Sequence, residues 1–158
     1  MSIIDSLITD RTAADVRRWE ELNAKAFADM TAEEKAEWMA GMKGAYEPAD
    51  RNRVGEAIVY IANRLKAAGN DIMVSPKTDW TREDIPTPDQ MVHYLEQIQK
   101  VRDVLAVYQT TPAVPADVEG LTHTEANDIE KILLDVDQLI TNMIAAYYYS
   151  GELYGGEV

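Results

Sequence analysis

Apolar residues recur with one spacing in three stretches of the chain. Val54, Ile58, Ile61 and Leu65 stand at i, i+4, i+7 and i+11; Tyr94, Ile98, Val101 and Leu105 repeat that order, as do Ile129, Leu133, Val136 and Ile140. On a helix of about 3.6 residues per turn these four positions form one stripe, whereas a strand would scatter them over both faces. The stretches "YEPADRNRVGEAIVYIANRL", "PTPDQMVHYLEQIQKVRDVL" and "LTHTEANDIEKILLDVDQLI" therefore predict three amphipathic helices of shared layout. Thr87 with Gln90 and Thr122 with Glu125 make capping boxes, and Pro48 and Pro88 fit a first helical turn, where a missing amide costs nothing.

A lone amphipathic helix cannot hide its stripe, so repeated ones close on one another. Val54 to Tyr94 spans 40 positions and Tyr94 to Ile129 spans 35, an inequality that favours a compact bundle over a regular solenoid. The third helix is apolar around more of its circumference and belongs at the centre. Ahead of the repeats, Thr12 with Asp15 opens a helix carrying Val16, Trp19, Leu22, Ala26 and Phe27, expected to end near Asp29. Thr31 with Glu34 opens another, marked by Trp38 and Met42 and leaving through Gly41 and Gly44. The expectation is one all-α domain over residues 1–158. It comprises a helical hairpin at 10–45, a three-repeat bundle at 46–150 and a tail at 151–158, about five helices in all. The connection "AAGNDIMVSPKTDWTREDIPT" is long and partly extended, pinned by Trp80, with Thr81 and Asp84 capping a turn. In "TTPAVPADVEG", Pro112 and Pro115 impose a stiff crossing.

Composition narrows the chemistry. Of 158 residues none is cysteine, which removes disulfides, thiolate nucleophiles and cysteine-held metals. The start, "MSIIDSLITDRT", has no basic residue before its apolar run and is not expected to act as a secretory signal. The apolar stretch around residues 132–149 is broken by Asp135 and Asp137, so no membrane insertion is expected. A formal charge of −13 disfavours direct nucleic-acid binding, which gains from cations that displace phosphate counterions. Such acidity serves solubility, or alternatively a decoy surface for a nucleic-acid-binding protein.

The words "DRTAADV", "EEKAEWMAGMKGAY", "NRVGEAIVYIANRL", "KTDWTREDIPT", "EANDIEKILL" and "YSGELYGGE" span residues 10–157. They resemble segments of a group of tail-associated and structural proteins of tailed bacteriophages and prophages of Gram-positive gut bacteria. The resemblance implies a virion protein without catalytic residues, working beside other phage virion proteins. The repeat pattern it points to has an Asn shortly after the helix start, then an apolar residue and an acid. Asn52 and Asn127 occupy the Asn position while Val92 stands in the second copy; Gly55 and Leu95 replace the acid that Glu130 supplies in the third. The amides of Asn52 and Asn127 are read as ties between a helix and a loop.

Candidate chemistry is sparse. Asp89, His93 and Glu96 share a helix face at i, i+4 and i+7 and could offer three metal ligands, but mixed charges at this spacing are the ordinary solvated side of a bundle helix. His123 sits in a cap region, no serine, histidine and acid form a triad, and Gly151, Gly155 and Gly156 follow the last helix where a phosphate loop would need a strand before one. Asp135 and Asp137, two apart on a helix, face different directions. No enzyme, cofactor or metal is expected. Tyr147, Tyr148, Tyr149 and Tyr154 cannot all face one core and, with Trp80, are the interface candidates, for a partner protein, a second copy in a homo-oligomer, or a sugar. The leading expectation is a structural or adaptor protein of the phage tail tip, baseplate or receptor-binding apparatus. An acidic intracellular inhibitor of a host nucleic-acid-binding protein and a carbohydrate-contacting module are the alternatives.

Overall fold

Threonine-led capping boxes start four of the helices. Thr12 Oγ1 accepts from the Asp15 amide (3.3 Å) while an Asp15 carboxylate oxygen accepts from the Thr12 amide (2.8 Å). Thr31 with Glu34, Thr87 with Gln90 and Thr122 with Glu125 repeat the exchange. Each box satisfies amides that precede the first intrahelical bond. In a computed structural model, which describes residues 1–155 and the side chains of residues 1–148, these starts lead into α1 (Ala13–Asn23), α2 (Ala32–Ala40), α4 (Pro88–Asp103) and α5 (His123–Gly155). Between them, α3 (Pro48–Ala67) begins with proline in its first turn, and the Asp50 carboxylate takes the Glu47 amide (2.7 Å). The described residues form an all-α bundle of five helices, with 3-10 turns at Ile3–Ser6 and Phe27–Asp29 and no strand.

The three stripes meet in one core. Ile58, Ile98 and Leu133, equivalent across the copies, have no exposure, and α5 packs against α3, α4 and the N-terminal 3-10 turn. That turn brings Ile4 into the same core, a contribution from outside the predicted hairpin and repeats. Leu105 departs from its stripe. α4 stops at Asp103, and Leu105 leans half-buried on the core from the loop, because Arg102 holds the returning chain by the carbonyls of Thr111 (3.3 Å) and Pro112 (2.8 Å).

A second, smaller core lies in the hairpin. Leu22, Met30 and Met42 are buried there with Trp19 and Trp38 against them. α1 ends at Asn23, six residues short of the expected Asp29, because the Phe27–Asp29 turn folds Met30 back onto Leu22; Phe27 is left half exposed. Arg18 bridges the two helices through both oxygens of Glu37, and Lys25 reaches Glu34 (2.7 Å). At the other end, α5 continues through position 155, past the expected boundary at 150. A lone interior glycine such as Gly151 weakens a helix by about 1 kcal/mol but does not end one.

Two glycines are needed for close approach. A Cβ at Gly44 would stand 2.1 Å from the Asp15 carbonyl oxygen, and one at Gly55 would stand 2.8 Å from the Lys77 carbonyl oxygen. Gly55 lies in the body of α3, where the 70–86 connection crosses the helix at van der Waals distance. Gly55→Ala is expected to lower unfolding stability by roughly 1–3 kcal/mol, read from urea melts, because backbone has to move to admit the methyl. Gly69→Ala, with no atom within 4 Å but φ +94°, is the strain-only comparison.

Candidate functional site

Each repeat helix carries, near its start, a device for gripping a passing segment by its main chain. Asn52 Nδ2 donates to the Trp80 carbonyl (2.9 Å) and its Oδ1 accepts from the Trp80 amide (2.7 Å). Asn127 does the same to Arg11, donating to its carbonyl (3.0 Å) and accepting from its amide (3.0 Å). A carboxamide presents one acceptor and one donor side by side, which matches the N–H and C=O of a single extended residue. In the second copy the task is divided and shifted: Gln97 Oε1 accepts from the Ser75 amide (2.8 Å) and His93 Nε2 donates to the Ser75 carbonyl (2.8 Å). His93, weighed above as a metal ligand, is thereby engaged in holding a loop, and no group of three or more potential metal-holding side chains occurs among the described residues.

The position three residues after each Asn decides what covers that face. At Gly55 the Lys77 backbone carbonyl and the Thr78 side chain lie on the helix. At Glu130 the covering segment is residues 8–11, and the carboxylate, with no exposure, is answered from two sides. Arg53 pairs with both of its oxygens (2.6 and 3.0 Å), Arg11 Nη2 approaches to 2.6 Å, and the Ile8 amide donates at 3.2 Å. Asp50 completes the cluster, 2.6 Å from Arg53 and 3.1 Å from Arg11. Two guanidinium groups and two carboxylates balance in charge, which burial demands. Nothing periodic announces this cluster; its partners are brought together by three separate segments. On α5, Asp135 accepts from the Thr111 hydroxyl (2.7 Å) and pairs with Lys131, while Asp137 pairs with Arg64 (2.6 Å), so the two acids do face apart.

Trp80 is corrected as an interface candidate. It is 5% exposed, the Arg51 guanidinium (5.0 Å to the centroid) and the Lys77 ammonium (5.1 Å) both stand over its ring, and its backbone is held by Asn52. It pins the connection and offers no platform to a sugar. The end of α5 differs. The α5 stripe that is fully buried at Ile140 emerges as Ile144, 46% exposed, then Tyr147, 83%, beside Tyr148, 66%. Tyr149 and Tyr154 lie outside the residues whose side chains are described.

A groove of about 950 Å³ opens between α4 and the proline-rich crossing. Its apolar lining comes from Met91, Val92 and Leu95 on α4 and from Val114, Val118 and Leu121 opposite. Glu96, Asp117 and Glu119, all exposed, stand among its residues, with Arg51 as the cation at its inner end. There Tyr46 and Tyr94 share a short hydroxyl–hydroxyl hydrogen bond. Burial pushes both phenols well above their ordinary value. The groove was not legible beforehand, since the crossing that forms its far wall carries no helical pattern.

Comparison of the chain with protein families, with curated proteins and with solved structures finds no match.

Two outcomes test this account. Glu130→Leu leaves Arg11 and Arg53 with Asp50 as the one carboxylate between them, one positive charge uncompensated, and is expected to cost about 3–5 kcal/mol in denaturant unfolding. The tyrosine pair predicts an alkaline limit. Because the folded phenols keep their protons above pH 10.0, where the unfolded ones lose them, the pair's contribution is complete below that pH and falls as pH rises past it. Tyr46→Phe with Tyr94→Phe is expected to flatten the loss of melting temperature between about pH 10 and pH 11.5.

Proposed function

We propose that this protein is a non-enzymatic structural or adaptor component of a phage particle, at the tail tip, baseplate or receptor-binding apparatus, acting through protein contacts. The observation that carries the contact role is the α5 stripe running from buried Ile140 into exposed Ile144 and Tyr147. An apolar helix face that emerges exposed from its core suits contact with another chain, and tyrosine tolerates both the wet and the buried state of such a surface. The body behind it is suited to presentation. Its connections are held by side-chain clamps on their backbones and its hairpin is cross-bridged by salt links, so a contact at one end is delivered from a firm base. The particle setting is supported by the resemblance of six words across residues 10–157 to tail-associated phage proteins.

A second reading, inhibition of a host nucleic-acid-binding protein, is favoured by one observation, the charge of −13. The two separate by location and partner. Purified particles are expected to contain the protein at fixed stoichiometry by mass spectrometry, and Tyr147→Asp is expected to lower its incorporation by about tenfold or more without changing its melting curve. Recovery only from infected cytoplasm, bound to a nuclease or polymerase, would overturn the particle reading in favour of the inhibitor.

A further inference from the structure

The three repeat helices expose equivalent faces, and only two of these are covered in the same way. On α3 the face bearing Asn52 and Gly55 holds the segment that carries Trp80. On α5 the face bearing Asn127 and Glu130 holds the segment that carries Arg11. On α4 the corresponding residues are Val92 and Leu95, and they line the open groove. The own-chain segment that α4 grips, at Ser75, is held from His93 and Gln97, which lie off that face. Val92 is 55% exposed, and apolar surface continues beyond the groove through Pro86 to Ile85, 87% exposed.

We propose that this groove is a docking site for a peptide segment of a partner protein, one bearing an aliphatic or aromatic anchor flanked by lysine or arginine. The anchor follows from the lining of Met91, Val92, Leu95 and Val118, and from the loss of the carboxamide clamp: Val92 offers no hydrogen bond to a backbone, so recognition passes to side chains. The basic flanks follow from charge complementarity. Glu96, Asp117 and Glu119 stand exposed around the groove against the one guanidinium of Arg51, on a molecule of net charge −13. The covered faces supply the precedent, since each seats a short segment of this chain with one large side chain turned in: Trp80, 5% exposed, and Arg11, 5% exposed.

This inference rests on the reading that the protein works through protein contacts, and not on the particle in which it does so. The test is selection of random peptides of about ten residues on the immobilised full chain, followed by fluorescence anisotropy of the peptides recovered. Selected peptides are expected to share an apolar anchor within a basic context. Val92→Glu is expected to weaken them at least about tenfold, although it makes the molecule more acidic, because a carboxylate is placed where the anchor seats. Thr141→Glu, which adds the same charge at an exposed site on α5, is expected to leave binding unchanged. Asp117→Lys with Glu119→Lys is expected to weaken basic peptides by about tenfold as well. Equal binding to the wild type and Val92→Glu would overturn the proposal, since diffuse attraction to an acidic surface would then suffice. So would the recovery of no peptide, or occupation of the groove by the apolar dye ANS alone, which would mark it as a small-molecule cavity. The two readings fail separately: absence from purified particles removes the virion setting, while indifference to Val92→Glu removes the groove.

Discussion

A carboxylate sealed from water has to be met by cations and donors, and Glu130 sets that requirement at the centre of this molecule. Its side chain has no exposure, and it is met by Arg53 from α3, by Arg11 from the N-terminal segment and by the Ile8 amide. Those partners lie far apart along the chain, so the demand of one side chain fixes how the first segment, α3 and α5 sit together. Apolar burial alone would tolerate a helix rotated or slid by a fraction of a turn. A bidentate guanidinium contact at 2.6 and 3.0 Å does not. Core and ionic cluster divide the work, the first supplying most of the stabilisation and the second the register.

The clamps extend the same logic to the connections. A loop crossing a helix buries peptide groups that water can no longer reach, and each of these needs a partner. Asn52 and Asn127 supply donor and acceptor together, and Gly55 removes the side chain that would keep the crossing backbone at a distance. The repeats differ at these positions because each receives a different neighbour. Glycine stands where backbone lies on the helix, glutamate where two arginines converge, and leucine where the side chain joins the apolar core beside the groove.

That last position connects architecture to function. Exposed apolar surface among the described residues includes the α4 groove and the α5 end with Ile144 and Tyr147. Their chemistry differs, the first apolar with an acidic margin and the second aromatic and free of charge from Gln138 to Gly151. The two surfaces lie on different helices, α4 and α5.

The amino-acid sequence determined the local facts. Helical period, capping boxes and proline placement located the five helices, and the repeat alignment most of the residues that fill the core, since period and capping depend on neighbours within a turn or two, while the family resemblance pointed to Asn52 and Asn127. It placed α1's end and Leu105 wrongly, because each is decided by a distant contact: Met30 folding back on Leu22, and Arg102 holding the carbonyls of Thr111 and Pro112. Trp80 carried the signature of a binding aromatic and of a core aromatic alike; only the positions of Arg51, Lys77 and Asn52 around it selected the second. The ionic cluster and the groove belonged wholly to tertiary structure. Both are assembled from segments without periodic pattern, and which charges meet in a buried site, or which faces stay bare, follows from where the chain returns to in space.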